Sequence, residues 1–426
     1  MDSRPVGRAS RFILYGGIAF VVALLLLSAG FVGGAVADRS GVLPGATAKE
    51  PDSIQSTFSV FWEAWDLVQK HYVDRSAIDP KIQTYGAIEG MLDSLGDVGH
   101  TRFLSPDALR SEEEALSGQF EGIGAHMVLR DGKPTVLAPI PGSPAQQAGL
   151  RPGDVIEAVD GKDVIGQRLD DVVKLVRGPA GTSVTLKVLH ADQTTPVDIT
   201  VVRAQINVPS VMWAMLPGTN VTHVLVSQFA ERATTELVDA LQAAQQQGAK
   251  AVILDLRNDP GGLRDEAVGV ASQFLKDGLV LIEVSADGQR QEFPVKPGGV
   301  AQAIPLAILV NDGTASSAEI VAGALQDHKR GPVIGTTTLG TGTVLSIYKL
   351  SDGSAIFLGT EGWLTPNGRR IWHQGITPDI TVALPAGAVP LIPAQAGAMS
   401  PEQLQSSNDA QLLRALQELN AAVPAH

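Results

Sequence analysis

The chain has no cysteine among its 426 residues. That excludes disulfide staples, cysteine-ligated zinc, iron–sulfur clusters and a thiol nucleophile together. It leaves the compartment open, because an exported protein can also do without cysteine. Aromatics are scarce at 5%, and charged side chains make up only 18%. Basic residues are the scarcer sign, 32 Lys plus Arg against 45 Asp plus Glu, for a formal net charge of -13. No nucleic-acid partner is expected of such a chain, which is short of the cations that neutralise phosphates. Apolar and turn-forming residues are plentiful: 44% hydrophobic, 45 Gly and 26 Pro. The first excludes a wholly disordered chain, and the others argue against an all-helical fold. At roughly 100–200 residues per domain, the length allows two to four domains.

Residues 12–37 carry no charge, with Arg4, Arg8 and Arg11 before them and Asp38 after. About 20 apolar residues suffice to span a bilayer. The run predicts one transmembrane helix, with residues 1–11 in the cytoplasm and the rest of the chain on the extracytoplasmic side of the cell membrane. Ala35-Val36-Ala37 also fits a signal-peptide cleavage site, so the alternative is export after cleavage. Residues 38–52 read as a linker. Residues 53–117 read as a helical segment. Phe58, Phe61, Trp62, Trp65, Leu67 and Val68 form one core-facing stripe, and a second helix runs from Pro80 to Gly96. From 118 to 203, short β-branched runs alternate with Gly/Pro/Asp turns, as in a small, partly open barrel. From 204 to 384, strands and helices alternate, which predicts an α/β core with a mostly parallel sheet. Residues 385–398 read as a flexible Ala/Pro/Gly linker, and 400–419 as a helix within the last segment, 385–426.

Three stretches carry chemistry. Phe120-Glu121-Gly122-Ile123-Gly124-Ala125 opens the β-rich region, and Gly122, Ile123, Gly124 and Ala125 can present successive N–H groups in a tight loop. Such a nest captures a terminal carboxylate. A lone Gly-x-Gly is usually only a turn. Joined to Ala148-Gly149-Leu150-Arg151-Pro152-Gly153-Asp154, it resembles a PDZ domain. The second stretch is Asp255-Leu256-Arg257-Asn258-Asp259-Pro260-Gly261-Gly262, a buried strand ending in a turn whose glycines let the backbone approach a substrate. The third is Asn311-Asp312-Gly313-Thr314-Ala315-Ser316-Ser317-Ala318-Glu319, a strand-to-helix turn of small residues. A serine nucleophile is often held on such a turn, although N-capping by Thr314 or Ser316 accounts for the same residues.

In this order the motifs resemble the C-terminal processing peptidases, a serine protease family, over about residues 54–383. Phe61-Trp62, Tyr85-Gly86, His100-Thr101-Arg102-Phe103, Thr365-Pro366-Asn367-Gly368 and Gly375-Ile376-Thr377-Pro378-Asp379 extend the match. The resemblance implies that an inserted PDZ domain recognises the C-terminal tails of protein substrates. A serine attacks the peptide carbonyl and a lysine acts as general base. N–H groups of the Pro-Gly-Gly turn and of the residue after the serine bind the oxyanion. Aligned on Glu319, the nucleophile is Ser316, and the oxyanion donors are Gly261 or Gly262 together with Ser317. No metal or other cofactor is implied.

The sequence departs from the family at one place. The family's lysine falls on Thr341 and its supporting glutamine on Leu345. A serine hydroxyl is a weak nucleophile until a base takes its proton. Lys329 and His328 lie on the helix after Ser316, and Lys329 is about 20 Å along it, out of reach. His373 is the first candidate for a substitute base and Lys349 the second. Two readings follow: an extracytoplasmic serine endopeptidase with a replaced base, and a catalytically impaired pseudoprotease that binds tails as an adaptor or scaffold.

Overall fold

The computed structural model describes residues 55–97, 100–140 and 142–422. It divides into two compact units, residues 1–83 and 84–426. The transmembrane helix expected at residues 12–37 lies outside the described residues. Among the described residues no helix is long and apolar enough to cross a membrane.

The first unit carries α1 (Gln55–His71) and a 3-10 turn at Arg75–Ala77, capped by Asp74, which accepts from Ser76 N at 3.0 Å. Its aromatics cluster with one another, Phe61 on Trp62 at 5.0 Å. The stripe expected as core is nevertheless open to solvent, with Phe58 40% and Trp62 57% exposed. Helix α2 (Pro80–Asp93) crosses into the second unit.

The segment expected to be helical throughout is broken by a strand, β1 (Arg102–Leu104), before α3 (Pro106–Ser117). Helix α3 starts with Ser105 accepting from Ala108 N and with Pro106 in its first turn, and it ends at Gly118 in the left-handed region (φ 67°). Then come β2 (Gln119–Gly122), β3 (Ala125–Arg130), β4 (Lys133–Pro139), α4 (Pro144–Gln147), β5 (Val155–Val159), β6 (Lys162–Asp163), α5 (Leu169–Val176), β7 (Ser183–Leu189), β8 (Val197–Val202) and β9 (Ala204–Asn207). Strands β2 and β9 pair antiparallel and close the insertion at its stem. The insertion sheet runs β3-β4-β5-β7-β8, with β6 beside β5, around Val136, Ile156, Val172, Val184 and Leu186. Strands β3 and β8 are its two edges.

The α/β core follows as β10 (Val211–Met215), β11 (Val221–Val226), α6 (Ala233–Gln246), β12 (Ala251–Asp255), α7 (Arg264–Phe274), β13 (Leu279–Ser285), β14 (Arg290–Pro294), β15 (Leu306–Val310), α8 (Ser317–Asp327), β16 (Val333–Gly335), β17 (Thr343–Lys349), β18 (Ala355–Leu364) and β19 (Ile380–Thr381). The central sheet runs β10-β11-β12-β15-β16-β19. Strands β11, β12 and β15 are buried at every residue, which is why they read as unbroken apolar runs. Helices α6, α7 and α8 pack on one face through Leu237, Ala267 and Val321. The other face is covered by α9 (Pro393–Gly397), α10 (Pro401–Gln405) and α11 (Ala410–Ala422) through Ala396, Leu404, Leu412 and Leu416.

The expected mostly parallel sheet is overturned. Among the described strands only β11–β12, β12–β15, β15–β16 and β16–β19 pair parallel. A second five-stranded sheet, β1-β18-β13-β14 with β17 on β18, is wholly antiparallel, as is the insertion. The physical reason is connectivity: β17 and β18 are joined by the short turn at residues 350–354, which allows only an antiparallel pair. Residues 385–398, expected to be a flexible linker, contain α9, whose Ala396 is fully buried. The helix expected at 400–419 is interrupted after α10, where Asp409 caps α11 by accepting from Leu412 N at 3.0 Å.

Candidate active site

Two turns meet at the carboxyl ends of β12 and β15, neighbouring parallel strands. Sites of open α/β sheets form there, where each chain leaves its strand to enter a helix. Asn258 N donates to Asn311 Oδ1 and Asn311 Nδ2 donates back to Asn258 Oδ1, both at 2.8 Å. Thr314 Oγ1 donates to Leu256 O at 2.7 Å, and Ala315 N to Asp259 O at 2.9 Å. These bonds fix one turn against the other.

Ser316 caps α8 with φ 50° and ψ -117°. An L-residue rarely adopts this conformation, and it persists only where the surroundings enforce it. A serine on a strained strand-to-helix turn projects its Oγ outward, as in the nucleophile elbow of hydrolases. Gly261 and Gly262 press against it. A Cβ on Gly261 would lie 2.7 Å from Ser316 Cβ and 2.8 Å from Ser317 N; one on Gly262 would lie 2.4 Å from Phe229 O. Gly261 N donates to Asp259 Oδ1 at 2.8 Å. The N–H groups of Gly262 and Ser317 have no partner among the described residues. Ser317 Oγ donates to Gly262 O at 2.9 Å and ties the two together. A hydroxyl flanked by two unpartnered N–H groups can attack a carbonyl and hold the resulting oxyanion.

Thr341 sits beside the serine. Its Oγ1 accepts from Ser316 N and donates to Glu319 Oε2 at 2.8 Å. The Glu319 carboxylate is fully buried and organises the site. Oε2 also accepts from Ser316 N at 3.0 Å and Thr341 N at 2.9 Å; Oε1 accepts from Gly340 N at 2.8 Å and from Thr338 Oγ1. Leu345 is not part of this group: beyond a bulge after Val344, it packs on Leu104, Leu109, Ala355 and Phe357.

The substitute bases considered from sequence fare unevenly. Lys349 pairs with Glu113 at 2.9 Å on exposed surface. His328 is hydrogen-bonded to Leu279 O at 2.8 Å. Lys329 is exposed at the end of α8. The His373 ring is exposed and stacked on Trp372; only the His373 backbone N–H, which donates to Gly340 O at 2.9 Å, lies next to Thr341. Sequence reasoning missed His100. It is 7% exposed, and its Nδ1 bonds Thr343 Oγ1 at 2.5 Å, two residues along from Thr341. Burial lowers its pKa below the ordinary imidazole value, against the opposing pull of Asp97. The only sequence signal was an Asp97-x-x-His100-Thr101 spacing inside a stretch valued solely for its match to the family.

The tail-binding residues expected from sequence lie together. Gly124 (φ 75°) turns its carbonyl inward to Ile140 N and Ser143 Oγ, and Ile123 O accepts from Ala145 N. The N–H groups of Ile123 and Gly124 have no partner among the described residues. They open on a cleft of about 410 Å³ lined by Ala125, Met127, Val173 and Val176. Arg177, a cation not singled out in the sequence, lies at this cleft over the Phe120 ring at 4.9 Å and pairs with Glu114.

Behind the turns lies a buried charge cluster. Arg257 donates to Asp255 and Asp409, and His223 Nε2 bonds Asp255 at 2.9 Å. Burial alone would raise Asp255, but the Arg257 guanidinium and His223 hold its carboxyl well below the usual range. Asp259 is the opposite case. It is fully buried, and among the described residues Oδ2 has no partner. Burial raises its pKa well above the carboxyl norm, with only the Gly261 N–H opposing. An acid with a raised folded pKa gives stability that is complete below about pH 4 and is lost as pH climbs toward the folded value. Asp259→Asn, which keeps the acceptor for Gly261, should melt a few degrees above wild type at pH 8, and the gap should close toward pH 4. Equal melting at pH 8 contradicts a buried acid. Among the described residues no group of three or more His, Asp or Glu could hold a metal ion.

Residues 220–382 match peptidase family S41 and residues 135–189 match the PDZ domain. The chain is 34% identical over 350 residues to the carboxy-terminal processing protease CtpA of Bacillus subtilis, covering 82% of this chain and 73% of that one. It is 36% identical over 326 residues to a carboxyl-terminal-processing protease of Synechocystis, covering 75% and 76%. Among solved structures, a photosystem II D1 C-terminal processing protease is 31% identical with a TM-score of 0.43, covering 78% of this chain and 95% of that one. Identity at this level over most of both chains establishes that the protein belongs to the C-terminal processing proteases of peptidase family S41, with an inserted PDZ domain.

Proposed function

We propose that the chain is an extracytoplasmic serine endopeptidase that cleaves proteins presented by their C-terminal tails. Ser316 is the nucleophile, and the N–H groups of Gly262 and Ser317 form the oxyanion hole. The observation that carries this reading is the strained Ser316 backbone, φ 50° and ψ -117°, kept beside two unpartnered N–H groups. A mere helix cap needs no such strain. Of the two glycines, Gly262 is the donor because the Gly261 N–H is committed to Asp259.

The tail enters along the free edge of β3, its carboxylate at the Ile123 and Gly124 N–H groups with Arg177 near by. A peptide with a free carboxylate should bind full-length Ser316→Ala protein about tenfold or more tighter than its C-terminal amide, the amide lacking charge-assisted bonds. Equal affinities would remove the carboxylate from the account.

The function is tested by incubating an unstructured protein with an apolar C terminus with wild type and Ser316→Ala. Wild-type fragments that are absent with the variant, and slowed when the tail is amidated, are the expected result. No cleavage by either protein would leave the tail-binding pseudoprotease as the correct description.

A further inference from the structure

The peptidase reading leaves one chemical requirement open: Ser316 needs a base, and Thr341 offers none. We infer that His100 is the general base of this site, acting through Nε2, with Thr343 and Asp97 as the groups that orient its ring. The inference rests on the reading of Ser316 as nucleophile.

We assign the tautomer from the hydrogen bonds around Asp97. Asp97 Oδ2 accepts from Thr101 Oγ1 at 2.7 Å, and Thr101 Oγ1 in turn accepts from Gly359 N at 2.9 Å. Thr343 Oγ1 donates its only proton to the same Asp97 oxygen at 3.3 Å. Toward His100 it can therefore only accept, so Nδ1 carries the ring proton. The lone pair is left on Nε2, for which no protein partner exists among the described residues. Imidazole, hydroxyl and carboxylate in series reproduce the logic of a base held in one tautomer by a third group.

Position agrees with the role. Thr341 touches the backbone of Ser316, and Thr343 follows two residues later, at most about 7 Å on. His100 is bonded to Thr343. These two contacts place Ser316 and His100 at the two ends of the short segment 341–343. The charged groups facing the ring are Asp97, which favours its protonation, and Arg102, which opposes it and donates to His100 O at 3.4 Å. Burial outweighs both, so the imidazole is neutral and able to accept a proton at pH 7.

In the reaction, Ser316 Oγ gives its proton to Nε2 as it bonds the scissile carbonyl carbon, and the carbonyl π electrons move to oxygen. The imidazolium then returns that proton to the leaving amine nitrogen as the C–N bond breaks, leaving an ester on Ser316. Water attacks the ester with Nε2 again taking and returning one proton, which frees the acid and the serine.

The test is the pH profile of kcat/KM for the full chain, with the His100 imidazole titrated by NMR. The acid limb should lie below pH 6.5 and coincide with the imidazole midpoint. His100→Gln should lose about 10²–10⁴-fold in kcat with tail binding and melting temperature kept. Thr343→Val, which keeps the imidazole and frees its tautomer, should lose at least about tenfold. It serves as the second probe where His100→Gln fails to fold. His373→Ala should cleave like wild type. An acid limb that departs from the imidazole midpoint, or cleavage that depends on Ser316 but survives His100→Gln, overturns the base assignment alone. Equal behaviour of wild type and Ser316→Ala overturns the peptidase reading beneath it.

Discussion

Gly261→Ala should reduce kcat by about 10²–10³-fold or more, the loss typical of a disabled oxyanion hole. Gly261 sits at φ 96°, where a side chain is strained whatever the space. Here there is no space. The added methyl would lie 2.7 Å from Ser316 Cβ, 2.8 Å from Ser317 N and 2.9 Å from Ala315 O. Two of these are backbone atoms of the nucleophile turn, itself locked to Asp259 and Asn258. The turn must shift, carrying Gly262 and Ser317 out of register with Ser316. The loss should fall on kcat, because the PDZ cleft is built from other elements and tail affinity should stay unchanged. Wild-type kcat in this variant would mean that the two turns do not approach as described.

Glu319→Gln should lower the melting temperature by roughly 10 °C and abolish most activity. The side chain keeps its size, so the change is one of charge and hydrogen-bond polarity, not of packing. Glu319 accepts from Ser316 N, Thr341 N, Thr341 Oγ1, Gly340 N and Thr338 Oγ1 and donates to none. Whichever oxygen becomes an NH2 group then faces donors in a buried site. Breaking such a buried network costs about 3–5 kcal/mol, and each kcal/mol is worth about 2–4 °C in a domain of this size. Melting by differential scanning calorimetry checks this; a shift below about 2 °C would contradict the description of Glu319 as the organiser of the site.

The turn that carries Ser316 was legible in the sequence because it is local: a buried strand, a run of small residues, then a helix with Glu319 in its first turn. The PDZ loop was legible for the same reason. What Glu319 does was not, because its donors include residues 338–341, brought in by a separate loop. The choice between Gly261 and Gly262 was equally closed to sequence reading. It depends on the Asp259 side chain turning back onto Gly261 N. His100 was overlooked because its partner Thr343 lies 243 positions away. Leu345 was read as a position beside the base, whereas a bulge after Val344 sends it into the cluster around Phe357. The antiparallel second sheet was missed because β1, β13, β14, β17 and β18 are scattered along the chain. Each looked like one more unit of an alternating pattern. The break before α11 follows from Asp409, which Arg257 recruits across the fold.

The central claim is that Ser316 is an activated nucleophile although its neighbour Thr341 brings no basic side chain. It is tested most directly by the intact mass of the full-length protein after incubation with a fluorophosphonate at pH 8, with Ser316→Ala treated alongside. The account predicts one adduct in the wild type, mapped to Ser316, and none in the variant. No adduct in the wild type, or equal labelling of both proteins, would contradict it.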